Sequence, residues 1–128
     1  MIKPAFLQVN DKVAITSTAR KLPKSTIKNG VEVLTQLGFK AVVSDTIGAE
    51  HYIFAGNDTH RLQELQRFLD DESIKAIWLA RGGYGSIRIL EQLNWDNFTK
   101  HAKWLIGFSD VTNLLAKVND LNIACIHG

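Results

Sequence analysis

Five short apolar runs recur along the chain, at residues 12–17 (KVAITS), 39–44 (FKAVVS), 74–80 (IKAIWLA), 104–108 (WLIGF) and 123–126 (IACI). They are close to continuously apolar instead of alternating with polar residues, the pattern of strands covered on both faces of a parallel sheet. Stretches with helical spacing lie between them. Ile27, Val31, Leu34 and Leu37 share a face of a helix predicted over residues 25–37, with Gly38 placed for a left-handed C-cap. Asp58 opens a second helix, in which Leu62, Leu65, Phe68 and Leu69 share a face and the acidic DDES closes it. Ile87, Leu90 and Leu93 form a third stripe, and residues 110–120 a fourth helix. Strands that alternate with helices in this rhythm predict a doubly wound α/β domain of about five mostly parallel strands.

Composition narrows what such a domain does. With 128 residues, 45% of them hydrophobic and 22% charged, and a formal charge of +2, the chain builds a core of its own and is not intrinsically disordered. No apolar run approaches the roughly 18 residues of a membrane span, and MIKPAFLQVNDK lacks the apolar segment of a signal peptide, so a cytoplasmic location is expected. Cys125 is the single cysteine and has no internal disulfide partner; its apolar run places it in the core. The basic residues are scattered rather than gathered into a stripe with aromatics, which argues against a nucleic-acid partner. His51, His60, His101 and His127 show no metal-ligand spacing, and no cofactor is expected. No repeat or linker divides the chain. A final strand without a closing helix suggests the first part of something longer.

In open parallel sheets, ligands bind beyond the carboxyl ends of the strands. Two strand-to-helix junctions stand out there. The first is Arg81-Gly82-Gly83-Tyr84-Gly85-Ser86. It is not a dinucleotide fingerprint, because the third glycine counted from Gly83 would fall on Arg88, and the chain has no G-x-x-x-x-G-K-[ST] phosphate loop. Its glycines either let main-chain N–H groups approach a ligand or make a tight turn that packs strand on helix. The second is Gly107-Phe108-Ser109-Asp110-Val111, a strand ending in Gly-x-Ser that turns at once into a helix. That is the position of a nucleophile elbow, where the N–H of the residue after the serine helps to stabilise an oxyanion. Val111 takes the place of the second glycine in G-x-S-x-G. The alternative is that Ser109 or Asp110 caps the helix, although Thr112 stands where a capping box needs Glu or Gln. His127 ends a strand on the same edge. The loop over residues 45–57 is long enough to cover something. Asp58 and Arg61, at the start of a helix, read as a solvated surface pair.

Ala80-Arg81-Gly82-Gly83-Tyr84-Gly85, then Lys103-Trp104-Leu105-Ile106-Gly107-Phe108-Ser109-Asp110-Val111-Thr112, then His127-Gly128, resemble the N-terminal half of the LD-carboxypeptidases, also called muramoyltetrapeptide carboxypeptidases. Asp11-Lys12-Val13-Ala14-Ile15 is similar to that family's opening strand, and Phe54-Ala55-Gly56-Asn57-Asp58 with Arg61 to its segment before the second helix. The resemblance implies a sheet of flavodoxin-like or class I glutamine amidotransferase-like type. It also implies a cytoplasmic serine peptidase of cell-wall recycling that removes the terminal D-alanine from murein tetrapeptides, homodimeric at full length. By resemblance Ser109 is the nucleophile, the Asp110 backbone N–H one oxyanion donor and the Gly82-Gly83 turn the other, with Arg81, Tyr84, Gly85 and Thr112 against the substrate. Phe108 stands where the family often has Tyr. A related branch cleaves aminoacyl-adenylate antibiotics and confers immunity.

In that family a Glu and a His from a C-terminal domain complete the site, and no histidine of this chain matches the catalytic one. A serine hydroxyl is a poor nucleophile without an adjacent base. Residues 1–128 are therefore expected to be an N-terminal nucleophile domain with little or no activity alone, its C-terminal domain absent. An exposed apolar patch that self-associates or swaps elements is expected with it. Two other classes stay open: a flavodoxin-like module that holds a phosphate or nucleotide at the glycine turn, and a purely structural or partner-binding domain.

Overall fold

A computed structural model describes residues 1–128. Strands β1 (Lys12–Thr16), β2 (Lys40–Val43), β3 (Ile74–Leu79), β4 (Trp104–Gly107) and β5 (Ile126–His127) form one all-parallel sheet in the order β2-β1-β3-β4-β5. Helices α1 (Lys28–Gln36), α2 (Asp58–Asp70), α3 (Ile87–Leu90), α4 (Asp96–Lys100) and α5 (Thr112–Asp120) connect them, with short 3-10 turns at Lys24–Ile27 and Ser109–Val111. The predicted α/β class and strand count hold.

Alternate residues of each strand feed two cores. Ala14, Ile77, Leu79 and Leu105 face Leu65, Phe68 and Leu69 of α2, Ile89 of α3, Phe98 of α4 and Leu114, Leu115 and Val118 of α5. Val13, Ile15 and Ala76 face the other way, against Leu34 of α1. On that second side the sheet is only partly covered beyond α1. Trp78 and Ile106 are half-buried, and Phe108 and Ile126 stay 61% and 42% exposed. The expected apolar patch is thus present, at the carboxyl ends of β4 and β5.

Four expectations change. The third helical stripe is cut short: α3 is a single turn ending at Leu90, and Ile89 rather than Ile87 is buried. Side chains tie the segment between α3 and α4 instead: the Asn94 N–H donates to Gln66 Oε1 of α2, and Asn94 Oδ1 accepts from the Asp96 N–H. The last strand lies over Ile126–His127, not 123–126. Ile123 instead bridges Ile2, after Asn122 leaves α5 at φ +60°. Cys125 is correspondingly half-buried outside the strand, with Sγ 3.7 Å from the Leu115 carbonyl, and is not the core residue expected. Asp58 and Arg61 are not a solvated pair either, since Arg61 is fully buried.

The loops at the carboxyl edge are tied by a buried polar network. Thr46 Oγ1 accepts from the Ser17 N–H at 3.0 Å and lies 3.1 Å from Thr16 Oγ1 and 2.9 Å from Ser44 Oγ. Glu64 of α2 accepts from Ser44 Oγ and the Asp45 N–H, both at 2.9 Å, and pairs with Arg67 at 3.0 Å. Burial alone would raise the Glu64 carboxyl, but the Arg67 guanidinium, the Asp45 N–H and the Ser44 hydroxyl outweigh it and bring its pKa down from 4.5 to about 2. A carboxylate held lower in the folded chain than in the unfolded one stabilises the fold above the unfolded value, and that stabilisation is lost as pH falls through the folded one. Chemical denaturation of the wild-type chain should therefore show on the order of 2–3 kcal/mol lost between about pH 5 and pH 2. Glu64→Gln should be less stable at pH 7 and lack that part of the slope; an unchanged slope would contradict the assignment.

Candidate active site

The site forms where the chain changes sides. After β1 it departs to the α1 face, whereas after β3 and β4 it departs to the opposite face, so a crevice opens between the two departures. Three turns meet there: residues 17–20 after β1, 81–86 after β3 and 108–111 after β4.

The turn after β4 has the geometry of an elbow. Gly107 ends the strand where a Cβ would lie 2.6 Å from Val111 Cγ2 and 3.2 Å from Leu79 Cβ, so only glycine lets the chain double back this tightly. Phe108 is extended, and Ser109 then takes φ +64°, a left-handed conformation that costs a non-glycine residue roughly 1–2 kcal/mol. Its side chain is exposed at the mouth of the crevice. Neither Ser109 nor Asp110 caps a helix through its side chain, which removes the alternative reading of this pair.

The Asp110 carboxylate instead accepts the Ser86 N–H at 3.0 Å, joining this turn to the glycine turn. Ser86 is fully buried, and its Oγ lies 2.6 Å from Thr18 Oγ1, so one residue ties all three turns together. Gly82 closes on the elbow. A Cβ there would sit 3.0 Å from Ser109 Cβ, 3.1 Å from Ser109 Oγ and 3.1 Å from the Asp110 nitrogen. Gly83, at φ +102°, lies under Arg20, whose Cδ a Cβ would meet at 2.5 Å, while the Gly82 carbonyl accepts the Arg20 N–H at 3.3 Å. The glycine turn is therefore both a packing device and the wall facing Ser109.

The other expected residues spread outward from this centre. Gly85, at φ +139°, is buried against Ala19 and Phe54. The Arg81 guanidinium donates to the Lys21 carbonyl at 2.7 Å, and Tyr84 is 44% exposed beside Phe54, with ring centroids 6.2 Å apart. Thr112 lines a separate groove of about 300 Å³ with Met1, Leu115, Cys125 and His127. An apolar groove of about 330 Å³ lies beside the elbow on the α1 side, lined by Ile27, Gly30, Trp78, Ala80, Phe108 and Gly128. His101 pairs with Glu72 on α2's outgoing turn, before β4 begins and so away from the carboxyl edge. Sequence reasoning missed the Ser86 link to Thr18 and Asp110, because nothing in local spacing signals a contact across 68 and 24 residues.

A left-handed serine after a buried strand, with its following N–H beside a glycine turn, is the geometry of a strand-to-helix elbow in an open parallel sheet. Residues 13–128 match the family model of the LD-carboxypeptidase N-terminal domain, and the chain belongs to that peptidase family. A Synechocystis protein named as a carboxypeptidase is 32% identical over 128 residues, covering 99% of this chain and 42% of the relative. The murein tetrapeptide carboxypeptidase of Pseudomonas aeruginosa is 28% identical over 121 residues, covering 94% and 39%. Among solved structures, the microcin C7 self-immunity protein in complex with aspartyl sulfamoyl adenosine superimposes with a TM-score of 0.87 at 28% identity, covering 95% of this chain and 38% of that one. The chain spans about two fifths of the length of the curated relatives it matches.

The left-handed backbone at Ser109 is directly testable. Ser109→Gly relieves the steric cost, whereas Ser109→Ala keeps it, so the glycine variant should be the more stable of the two by about 1 kcal/mol in thermal or denaturant unfolding. Equal stabilities, or a more stable alanine variant, would mean that residue 109 is not held left-handed.

Proposed function

We propose that this chain is the nucleophile-bearing part of a cytoplasmic serine peptidase that hydrolyses the amide bond to the terminal D-alanine of murein tetrapeptides. The conformation of Ser109, projecting from its turn at φ +64° with Gly82 packed against it, carries the reading. The name of the Pseudomonas aeruginosa relative supports the substrate class.

In this mechanism Ser109 Oγ attacks the carbonyl carbon on the L-configured side of the scissile bond. The oxyanion of the tetrahedral intermediate lies between the Asp110 N–H and the Gly82-Gly83 turn, where preorganised donors stabilise developing charge. The amine of D-alanine leaves with a proton, and water hydrolyses the acyl-enzyme. The Asp110 carboxylate is committed to the Ser86 N–H and serves as a brace rather than as the base. The base and its orienting partner, a His and a Glu by resemblance, come from a C-terminal domain beyond residue 128. The partly covered sheet face at Phe108 and Ile126 favours such a partner. A homodimer of the full-length protein belongs to the same proposal.

The likeness to the microcin C7 self-immunity protein favours a second reading, in which the same acyl transfer acts on aminoacyl-adenylate antibiotics. One experiment addresses both. The chain is mixed with a separately expressed C-terminal domain of an LD-carboxypeptidase, and each half alone and the mixture are assayed for D-alanine release from a murein tetrapeptide and for cleavage of an aminoacyl-adenylate antibiotic. Release of D-alanine by the mixture alone is expected, with Ser109→Ala lowering it by about 10³-fold or more. Cleavage of the adenylate only would establish the second reading. Activity of the chain by itself would place the base within it, His127 first. No cleavage from halves shown by light scattering to associate would assign the chain a binding or structural role.

A further inference from the structure

The most deeply buried charge in the molecule takes no part in the chemistry proposed above. Arg61 of α2 is 0% exposed, and each arm of its guanidinium is used. Nε donates to the Thr18 carbonyl at 3.0 Å, Nη1 to the Gly56 carbonyl at 2.7 Å and Nη2 to Asp58 Oδ1 at 2.6 Å. Asp58 is held on its other side by Arg88, which reaches Oδ1 and Oδ2 through Nε and Nη2 at 2.8–3.1 Å. Both guanidinium groups lie over the Phe54 ring, Arg61 at 4.6 Å and Arg88 at 5.3 Å from its centroid, and Phe54 lies beside Tyr84. Buried charges are tolerated when every donor is matched, and planar guanidinium groups suit two-point contacts with a carboxylate.

Arg88 sits in the first turn of α3, two residues after Ser86. That helix is four residues long and has no side-chain N-cap, and the turn before it carries Gly83 and Gly85 at positive φ. A glycine-rich turn leading into one uncapped helical turn has many accessible conformations and little local interaction to choose among them. External ties must select the one that puts Gly82 against Ser109. We propose that Asp58, fixed by buried Arg61 and gripping Arg88, is a positioning residue that holds the 81–86 turn against the Ser109 elbow. Its place in the segment FAGND with Arg61 then follows: the segment is a rigid post, built on α2, to which the far end of the glycine turn is fastened. The inference rests on the Ser109 reading only for its consequence in catalysis; the mechanical claim stands on the contacts.

Amide hydrogen exchange followed by NMR on the 128-residue chain tests it, with Arg88→Ala, Arg88→Lys and Asp58→Asn beside the wild type. Arg88 is 44% exposed at its side chain, so its truncation leaves the core intact. The reporters are the N–H groups of Ser86, bonded to Asp110, and of Arg20, bonded to the Gly82 carbonyl, with Ala14, Ile77 and Leu105 in the sheet as controls. In Arg88→Ala, exchange at Ser86 and Arg20 should rise about tenfold or more while the sheet amides change less than about twofold; Asp58→Asn should raise exchange at the same two amides by at least as much, and Arg88→Lys should recover part of the protection. Unchanged exchange at Ser86 and Arg20 in either variant, or an equal rise in the sheet in Arg88→Ala, would overturn the proposal. A chain that cleaves neither the murein tetrapeptide nor the aminoacyl-adenylate in any mixture would sink the Ser109 reading and leave this result standing.

Discussion

A parallel sheet has to bury both faces, and each crossover must leave its strand toward one face or the other. In this chain the departure after β1 goes to the α1 side, and the departures after β3 and β4 go to the side of α2 through α5. The two sets of turns diverge at the boundary between β1 and β3, and the crevice they leave is the one place where backbone from three strands converges without a helix above it. Everything at the candidate site depends on that divergence. Gly107 and Gly82 matter because the turns after β3 and β4 leave side by side and press together. Ser109 is exposed because no crossover passes over it.

Divergence opens the crevice but does not fix its shape, and much of the molecule's polar chemistry is devoted to that second task. Ser86 binds the Asp110 carboxylate and the Thr18 hydroxyl, so the turns after β1, β3 and β4 share one buried residue. Glu64 holds the loop after β2 through Ser44 and Asp45, and Thr46 passes that order on to Thr16 and Ser17. Arg61 satisfies two carbonyls of neighbouring loops and anchors Asp58. These contacts come mainly from α2, which packs its apolar face on the sheet and presents its polar residues to the loops at its N-terminal end. One helix thereby links the core to the geometry of the edge. The same arrangement explains how a non-glycine residue is held left-handed at position 109: a strained conformation persists where its surroundings leave no alternative.

The elements most legible in the sequence were those whose signals are local. The β1, β2, β3 and β4 runs, the C-cap at Gly38 and the elbow at Ser109 could all be read from short stretches, because apolar periodicity and glycine placement act over a few residues. Where a residue's state is set by distant partners, the reading failed. Arg61 looked like half of a surface pair, since an Asp and an Arg three apart at a helix start usually are solvated, yet carbonyls at Thr18 and Gly56 take it inside. The third helix stopped at Leu90, and the segment after it is held by Gln66, 28 residues from Asn94, a tie that local spacing does not signal. Cys125 fell outside the sheet because Ile123 pairs first with Ile2 at the other end of the chain.

The amino-acid sequence by itself determined the class of fold, the places of the first four strands and the two junctions at which chemistry could sit, because these follow from patterning and from backbone angles that only certain residues accept. The tertiary structure alone decided that the two junctions press together, with no room for a Cβ at Gly82 against Ser109, and that a buried arginine on α2 underlies one of them. Those facts are distances between residues far apart in the chain, set by how strands order in the sheet and by which face each crossover takes, and no local pattern encodes a distance of that kind.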